Sequence, residues 1–334
     1  KVDVDFQEAI YCVLWFVIVV FHRIMRMQTI DIHTHGIAGF DTRSKDTDAI
    51  LKIAEIQASY RVDAIIPTIY SAPIHIMREN MAIVKMAMDM QKAHHKKPIL
   101  VASIIGVHLE GPFLNPSYCG ALDHCSFLEP DIKTFEELVD GFEDMVRIIT
   151  IAPELDGSTK IIKNARDKGV KVGMGHSNAT YAEAEAGYNA GAESITHIFN
   201  AMRGIHHREP GIAGFGLLHA GVYTEVIADP YHLHPETIKL IFRVKNHSRI
   251  IIISDSIRDT NCTRFPDGKQ NMADSNGFKI TPSQRNGILQ GGSMTITEST
   301  QRLVGMGIDA KTVRRCITEN PATYLDIDEK SICA

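Results

Sequence analysis

Six residues carry side chains able to hold a metal ion or move a proton, and each follows a run of β-branched residues. His33 and His35 stand in TIDIHTHG, Glu110 in HLEGPF, His176 in GMGHSNAT, His197 in THIFNAM and Asp255 in ISDS. Residues i and i+2 of a strand project from the same face, so His33 and His35 can offer imidazole nitrogens to one cation. A carboxylate such as Glu110 can serve one ion or bridge two. His176 and His197 add nitrogen ligands suited to zinc, iron or a similar divalent metal. Asp255 fits two roles: a further ligand, or the general base that takes a proton from water and returns it to a leaving group. Taken singly, each residue has a plainer reading. An HxH pair also occurs on solvated loops, a lone glutamate caps or pairs, and a lone histidine is most often a hydrogen-bonded core residue. Their shared position at strand ends makes a hydrolytic metal site the better account.

The elements that must position them alternate along the chain. Strands are expected at 28–33, 63–70, 99–109, 146–152, 170–176, 194–199, 224–229 and 249–255, with helices at 46–60, 74–94, 131–144, 157–168, 180–190 and 235–246. Several of these helices open on Asp, Ser or Thr caps. Eight strand–helix alternations predict a (β/α)8 TIM barrel, in which the C-terminal strand ends form one mouth. Residues 256–292, rich in Gly, Asn, Asp and Pro, read as a long loop with a hairpin near 277–290, and 293–325 as helix closing the barrel.

The apolar fraction of 44% is enough for a large core and excludes disorder, and the net charge of −5 offers no basic field for nucleic acid. The six cysteines are scattered, without a CxxC pair, and are expected as free thiols of a reducing, cytoplasmic compartment. Residues 1–27 are atypical. Ala9 to Phe21 is an uninterrupted apolar run of 13 residues, short of the ~20 a spanning helix needs, with acidic residues before it where a secretory signal would be basic. It reads as a buried strand or core segment rather than a membrane-associated one. The barrel is assigned to 28–334.

Ten collinear motifs between Ile30 and Leu325 resemble the N-acetylglucosamine-6-phosphate deacetylases of the amidohydrolase superfamily: IDIHTHG, HLEGPFLNP, APE, GHSNAT, THIFNAM, REPG, IAD followed by HLHP, ISDS, LQGGSMT and NPA. FNAM followed by REPG is the narrowest of them. The resemblance implies hydrolysis of the N-acetyl group of an amino-sugar phosphate by metal-activated water, yielding acetate and glucosamine 6-phosphate. It implies Asp255 as acid/base, Glu110, His176 and His197 as principal ligands, and His33 with His35 at a second or alternative ion, so that one or two ions bind. Ala121, Leu122, Asn200, Ala201, Arg208, Asp229, His232, Leu289, Gln290 and Gly291 are implied as substrate contacts, and a homodimer as the assembly. Arg208 also makes sense chemically, since a guanidinium grips phosphate with two hydrogen bonds; the plainer reading is a surface pair with Glu209.

The pattern also departs from that family. The small β-sandwich built from segments flanking the barrel is expected to be missing or truncated. Leu122 stands where the family has a substrate-contacting histidine, with His124 two residues on as a substitute; Cys119 replaces a lysine, Pro230 a glycine before His232, and Asp326 a glycine after NPA. Pro230 fixes φ and removes an N–H. Two other readings therefore stay open, an amide or imide hydrolase with a different substrate and a non-catalytic paralogue.

Overall fold

The computed structural model describes residues 28–93, 101–262, 284–285 and 287–327. Eight parallel strands, β1 (Ile30–Thr34), β2 (Ala64–Tyr70), β3 (Val107–Glu110), β4 (Val146–Ile151), β5 (Lys171–Met174), β6 (Ser194–Ile195), β7 (Tyr223–Ile227) and β8 (Ile250–Ile253), pair in sequence order. The ring is completed where β1 meets β8. The Asp255 N–H donates to the His33 carbonyl at 2.9 Å, the His35 N–H to the Ser256 carbonyl at 2.7 Å, and Thr34 bridges Ser256. Asp31 strengthens the seam by accepting from the hydroxyl and the N–H of Ser254. This is the expected TIM barrel.

Each strand is followed by a helix: α1 (Thr47–Ser59), α2 (Ile74–Ala93), α3 (Ile132–Val139), α4 (Ser158–Asp167), α5 (Tyr181–Ala190), α6 (Gly211–Leu218), α7 (Pro235–Val244) and α8 (Ile296–Gly305), then α9 (Ala310–Arg315) and α10 (Glu319–Tyr324). Their starts follow from the caps. Asp46 accepts from the Asp48 N–H to open α1, and Thr180 with Glu183 and Thr295 with Glu298 form reciprocal capping boxes on α5 and α8. Parallel strands buried on both faces are continuously apolar, and β8 reads IIII with all four side chains fully buried. Each contributes about 1.5–3 kcal/mol.

One core lies between the strands and the helices and includes Ile65, Leu109, Ile149, Val226 and Ile252. A smaller one takes the alternate positions, Ile66, Ile148, Tyr223, Ile227 and Ile251, and is met by Ala322, Tyr324 and Leu325 at the end of the chain's last helix. The Ile30 N–H donates to the Ile317 carbonyl and Tyr324 Oη meets Ser194 Oγ at 3.0 Å, so this plug sits at the strand starts, opposite the candidate site.

The expected elements differ from the observed ones mainly at their ends. The run 99–109 splits into Ser103–Ile104 and β3 around Gly106, whose φ of 142° puts a hypothetical Cβ 2.6 Å from the Met145 carbonyl, a backbone approach only glycine permits. Strands expected to reach 176, 199 and 255 stop at 174, 195 and 253. The hairpin expected at 277–290 is seen as Gln284–Arg285 paired with Ile288–Leu289. Asp326, where the resemblance would place glycine, has a φ of 53° and an ion pair with Lys171 at 2.7 Å. Cys119, Cys125 and Cys316 are free thiols. Residues 1–27, with the 9–21 run, and 328–334 lie outside the described residues, as does any sandwich they would form.

Candidate metal centre

The barrel mouth brings all six chemical residues together, each no more than 9% exposed. Glu110 ends β3 at their centre. Its Oε1 lies 3.1 Å from both His176 Nε2 and His197 Nε2, which are 3.2 Å from each other. Its Oε2 lies 3.2 Å from His35 Nε2, which is 3.3 Å from His33 Nε2. Asp255 Oδ1 faces this second pair, 3.4 Å from His33 and 3.6 Å from His35. Two triads result, His33–His35–Glu110 and Glu110–His176–His197, with donor atoms mutually within 4.8 Å.

These residues fit a divalent metal. Ligands about 2.0–2.1 Å from a tetrahedral ion stand about 3.3 Å apart, the spacing these atoms have without one. Nitrogen acceptors converge in pairs on a shared carboxylate. At His176 the other nitrogen is committed, because Nδ1 donates to the Tyr118 carbonyl at 2.9 Å and leaves the Nε2 lone pair facing Glu110.

Electrostatics sharpen the contrast between carboxylates. Burial pushes Glu110 up, but the imidazoles of His176, His197 and His35 around it outweigh this and hold its carboxyl well below the usual range. Burial and then the Glu110 charge push Asp255 up to about 7, against the pull of His197 and His232. Such a group can exchange a proton near neutral pH. Burial and then the neighbouring His108 imidazole lower His33 well below its ordinary value, which favours the neutral, ligating form.

The backbone that aims three of these side chains is unusual. His176, His197 and Asp255 have φ of 47°, 30° and 47°, left-handed values that L-residues adopt at a cost of order 1–3 kcal/mol. Outside contacts fix them: the Asn115 N–H donates to the His176 carbonyl at 2.9 Å and the Gly292 N–H to that of Asp255 at 2.7 Å.

The residues expected to touch substrate surround this centre unevenly. Gly120 packs over it, since a Cβ there would lie 3.2 Å from Ala201 Cβ and 3.6 Å from His176 Cε1. Ala121, Leu122 and Gln290 line a cavity of ≈480 Å³ with Arg43, Tyr70 and Arg258, and Tyr70 stacks on His35 at 3.9 Å. His124 is exposed in the turn His124–Ser126, beside Cys125. Asp229 is buried and fully engaged, accepting from His232 Nδ1 and from the Ser293 N–H and hydroxyl, each at 2.9 Å; it anchors His232. Asn200 is turned back onto the His197 and Ile198 carbonyls. Arg208 is exposed and contacts His207, while Glu209 accepts from the Tyr181 and Gly211 N–H groups, so the surface pair with Glu209 does not form. Leu289 ends the short strand Ile288–Leu289, and a Cβ at Gly291, two residues on, would come 2.8 Å from the Asp255 carbonyl.

Several site-building residues escaped the sequence reading. Glu154, in the APE motif, ties Asn115, Ser177 and the Asn178 N–H together behind His176. His108 and Glu225 are buried polar residues beneath the histidines, each close to His33. Their signal was a polar residue at an inward position of a strand.

Comparison with known proteins agrees with this geometry. The amidohydrolase family model matches residues 29–331. An N-acetylgalactosamine-6-phosphate deacetylase of Escherichia coli O157:H7 is 30% identical over 90% of this chain and 77% of its own length. An N-acetylglucosamine-6-phosphate deacetylase of Bacillus subtilis (strain 168) is 32% identical over 79% of this chain and 64% of its own length. The crystal structure of N-acetyl-D-glucosamine-6-phosphate deacetylase from Mycobacterium smegmatis superposes with a TM-score of 0.79 at 26% identity, covering 91% of this chain and 79% of that one. With the family model spanning the whole described barrel and the two metal-ligand triads at its mouth, the chain belongs to the amidohydrolase family.

Proposed function

We propose that the chain is a metal-dependent deacetylase that hydrolyses N-acetylglucosamine 6-phosphate to glucosamine 6-phosphate and acetate in amino-sugar catabolism. The observation that carries the reading is Glu110 shared between two histidine pairs, with Asp255 facing one of them. Glu110, His176 and His197 would hold one divalent ion, zinc or iron, and His33 and His35 with Glu110 a second. The metal supplies Lewis acidity toward the amide carbonyl and lowers the pKa of water. Asp255 takes the proton from the attacking water and delivers it to the departing amine nitrogen. His232 has its Nδ1 proton committed to Asp229, so its Nε2 accepts from a sugar hydroxyl. Arg208, without a carboxylate partner, binds the phosphate, which an acidic protein must hold by such local cations. Ala121, Leu122, Asn200, Ala201 and Leu289 to Gly291 form the sugar-facing rim.

The E. coli relative supports a second substrate, the C4 epimer N-acetylgalactosamine 6-phosphate, on the same chemistry. The same proposal includes a homodimer in the cytoplasm. Among the described residues no helix is long and apolar enough to cross a membrane. The test is acetate release by the purified chain, metal-free and loaded with zinc or iron, from both sugar phosphates, unphosphorylated N-acetylglucosamine, a cyclic imide and a dipeptide. Release from a 6-phosphate sugar only when metal is present is expected. Folded, metal-loaded protein that turns over neither phosphate would end the proposal, and preference for the imide or dipeptide would transfer it. Light scattering reads the assembly.

A further inference from the structure

Glu225 is a carboxylate at the site to which the reaction above gives no task. It stands in the middle of β7, fully buried, at the inward position between Tyr223 and Ile227, and its pairing with Ile251 fixes its register. Neither of its oxygens makes a hydrogen bond of ordinary length and angle, although the His197 N–H acts on its carboxyl. A buried polar atom left unpaired is costly, and a buried carboxylate more so, unless an interaction compensates it. The nearest ionic contact given to it is His33 Nδ1, 3.5 Å from Oε2, and that nitrogen is unpartnered too. Two orphaned, complementary atoms thus face each other within half an ångström of a normal hydrogen bond.

The other face of the His33 ring supplies the reason. Its Nε2 points at His35 Nε2, Glu110 and Asp255. An imidazole that ligates through Nε2 must keep its proton on Nδ1, and a buried Nδ1–H needs an acceptor. His176 meets the same need with the Tyr118 carbonyl. For His33 no backbone carbonyl among the described residues bonds Nδ1, so a side chain from another strand has to serve. We propose that Glu225 is a positioning residue that accepts the Nδ1 proton of His33, fixing its tautomer and ring orientation so that Nε2 ligates the ion shared with His35. Glu225 acts beneath the His33–His35 ion through this hydrogen bond and touches neither ion nor substrate. Its effect is therefore greater at that ion than at the one held by His176 and His197.

The inference rests on the metal reading of the site, and its test separates the two. The full-length chain, labelled with ¹⁵N-histidine, is loaded with ¹¹³Cd and followed by NMR, with cadmium affinity measured against a chelator. In the unaltered protein cadmium couples to His33 Nε2, and a slowly exchanging Nδ1–H is seen on the same ring. In Glu225→Leu that proton signal is lost and affinity at the His33–His35 ion falls roughly 10–100-fold, while the His176–His197 ion is retained. Glu225→Gln, whose amide oxygen keeps an acceptor in altered geometry, gives a smaller drop and carries the test if the leucine variant does not fold. A carboxylate with only a structural role would shift the unfolding midpoint and leave both affinities unchanged, which overturns the inference alone. Cadmium that never couples to His33 in the unaltered protein overturns the metal reading of that pair and the inference with it.

Discussion

Asp255→Asn isolates proton transfer from everything else the site does. Asparagine is nearly isosteric, and it tolerates left-handed backbone, which matters because Asp255 has a φ of 47°. Alanine at this position would add strain and obscure the result. The donor to its carbonyl, the Gly292 N–H at 2.7 Å, and its own N–H bond to the His33 carbonyl are backbone contacts that the variant keeps. Asp255 Oδ1 is 3.4 Å or more from each histidine nitrogen, whereas the Glu110 oxygens approach to 3.1 and 3.2 Å, so the two ligand triads survive without it. What is lost is a carboxylate raised to about 7 by burial and the Glu110 charge, a group poised to exchange protons. General acid–base catalysis contributes about 10²–10⁴-fold, so kcat is expected to fall by that factor, about 3–5 kcal/mol of barrier. The assay is acetate release from N-acetylglucosamine 6-phosphate, with metal content measured on the same sample and KM on the same titration. Metal retained, KM within a few-fold and kcat reduced at least a hundredfold is the expected pattern. If the variant keeps a tenth of the activity, Asp255 is not the proton carrier; if it loses its metal, Asp255 is a ligand.

Other perturbations probe separate parts of the site. Glu110→Ala should weaken both ions, and His35→Ala only the ion it shares with His33, as read by metal stoichiometry after dialysis; equal losses in both variants would contradict a shared Glu110. Arg208→Ala removes a charge-assisted hydrogen bond of about 1.5–3 kcal/mol and should raise KM for the sugar phosphate about 10–100-fold with kcat nearly unchanged, an effect absent with unphosphorylated sugar. Lys245 tests the fold: it is buried, donates at 2.7 Å to the Gly216 and His219 carbonyls, and burial lowers it from 10.5 to about 7. Between those pH values the unfolded chain binds the proton and the folded one does not, so stability rises with pH across that window and the penalty is complete below about 7. Urea unfolding of the wild type relative to Lys245→Met should therefore improve by roughly 4 kcal/mol from pH 7 to pH 10, and parallel profiles would refute the burial argument.

The barrel and its six chemical residues were legible because both rest on local pattern. Apolar β-branched runs mark the strands, caps mark the helix starts, and an HxH pair at a strand end already has the period that brings both rings to one face. The same pattern overran the strand ends at His176, His197 and Asp255, because nothing in GMGH, ITHI or ISDS announces a left-handed residue. That conformation is imposed from a distance, by Asn115 on His176 and by Gly292 on Asp255, contacts between segments far apart in the chain. Glu225 was overlooked for the opposite reason: TEVIAD reads as a good strand, and one polar residue at an inward position looks tolerable until its neighbours across the barrel are known.

These two omissions bear on how the site is held. Had the ligands sat within regular strands, sheet register alone would aim them, and the surrounding loops would matter only to substrate. Three of the six instead leave the strands in strained backbone, the carbonyls of His176 and Asp255 are tied to other loops and that of His197 to Asn200 in its own turn, and Glu154 locks the loop behind His176 through Asn115, Ser177 and Asn178. Strain of order 1–3 kcal/mol at each left-handed residue persists only while those ties hold. A change at Glu154 or Gly292, neither of which offers an atom to the metal, should therefore disturb ligand geometry as surely as a change in a ligand itself. The barrel supplies the ring of positions, and the loop contacts set the angle from which each side chain reaches the centre.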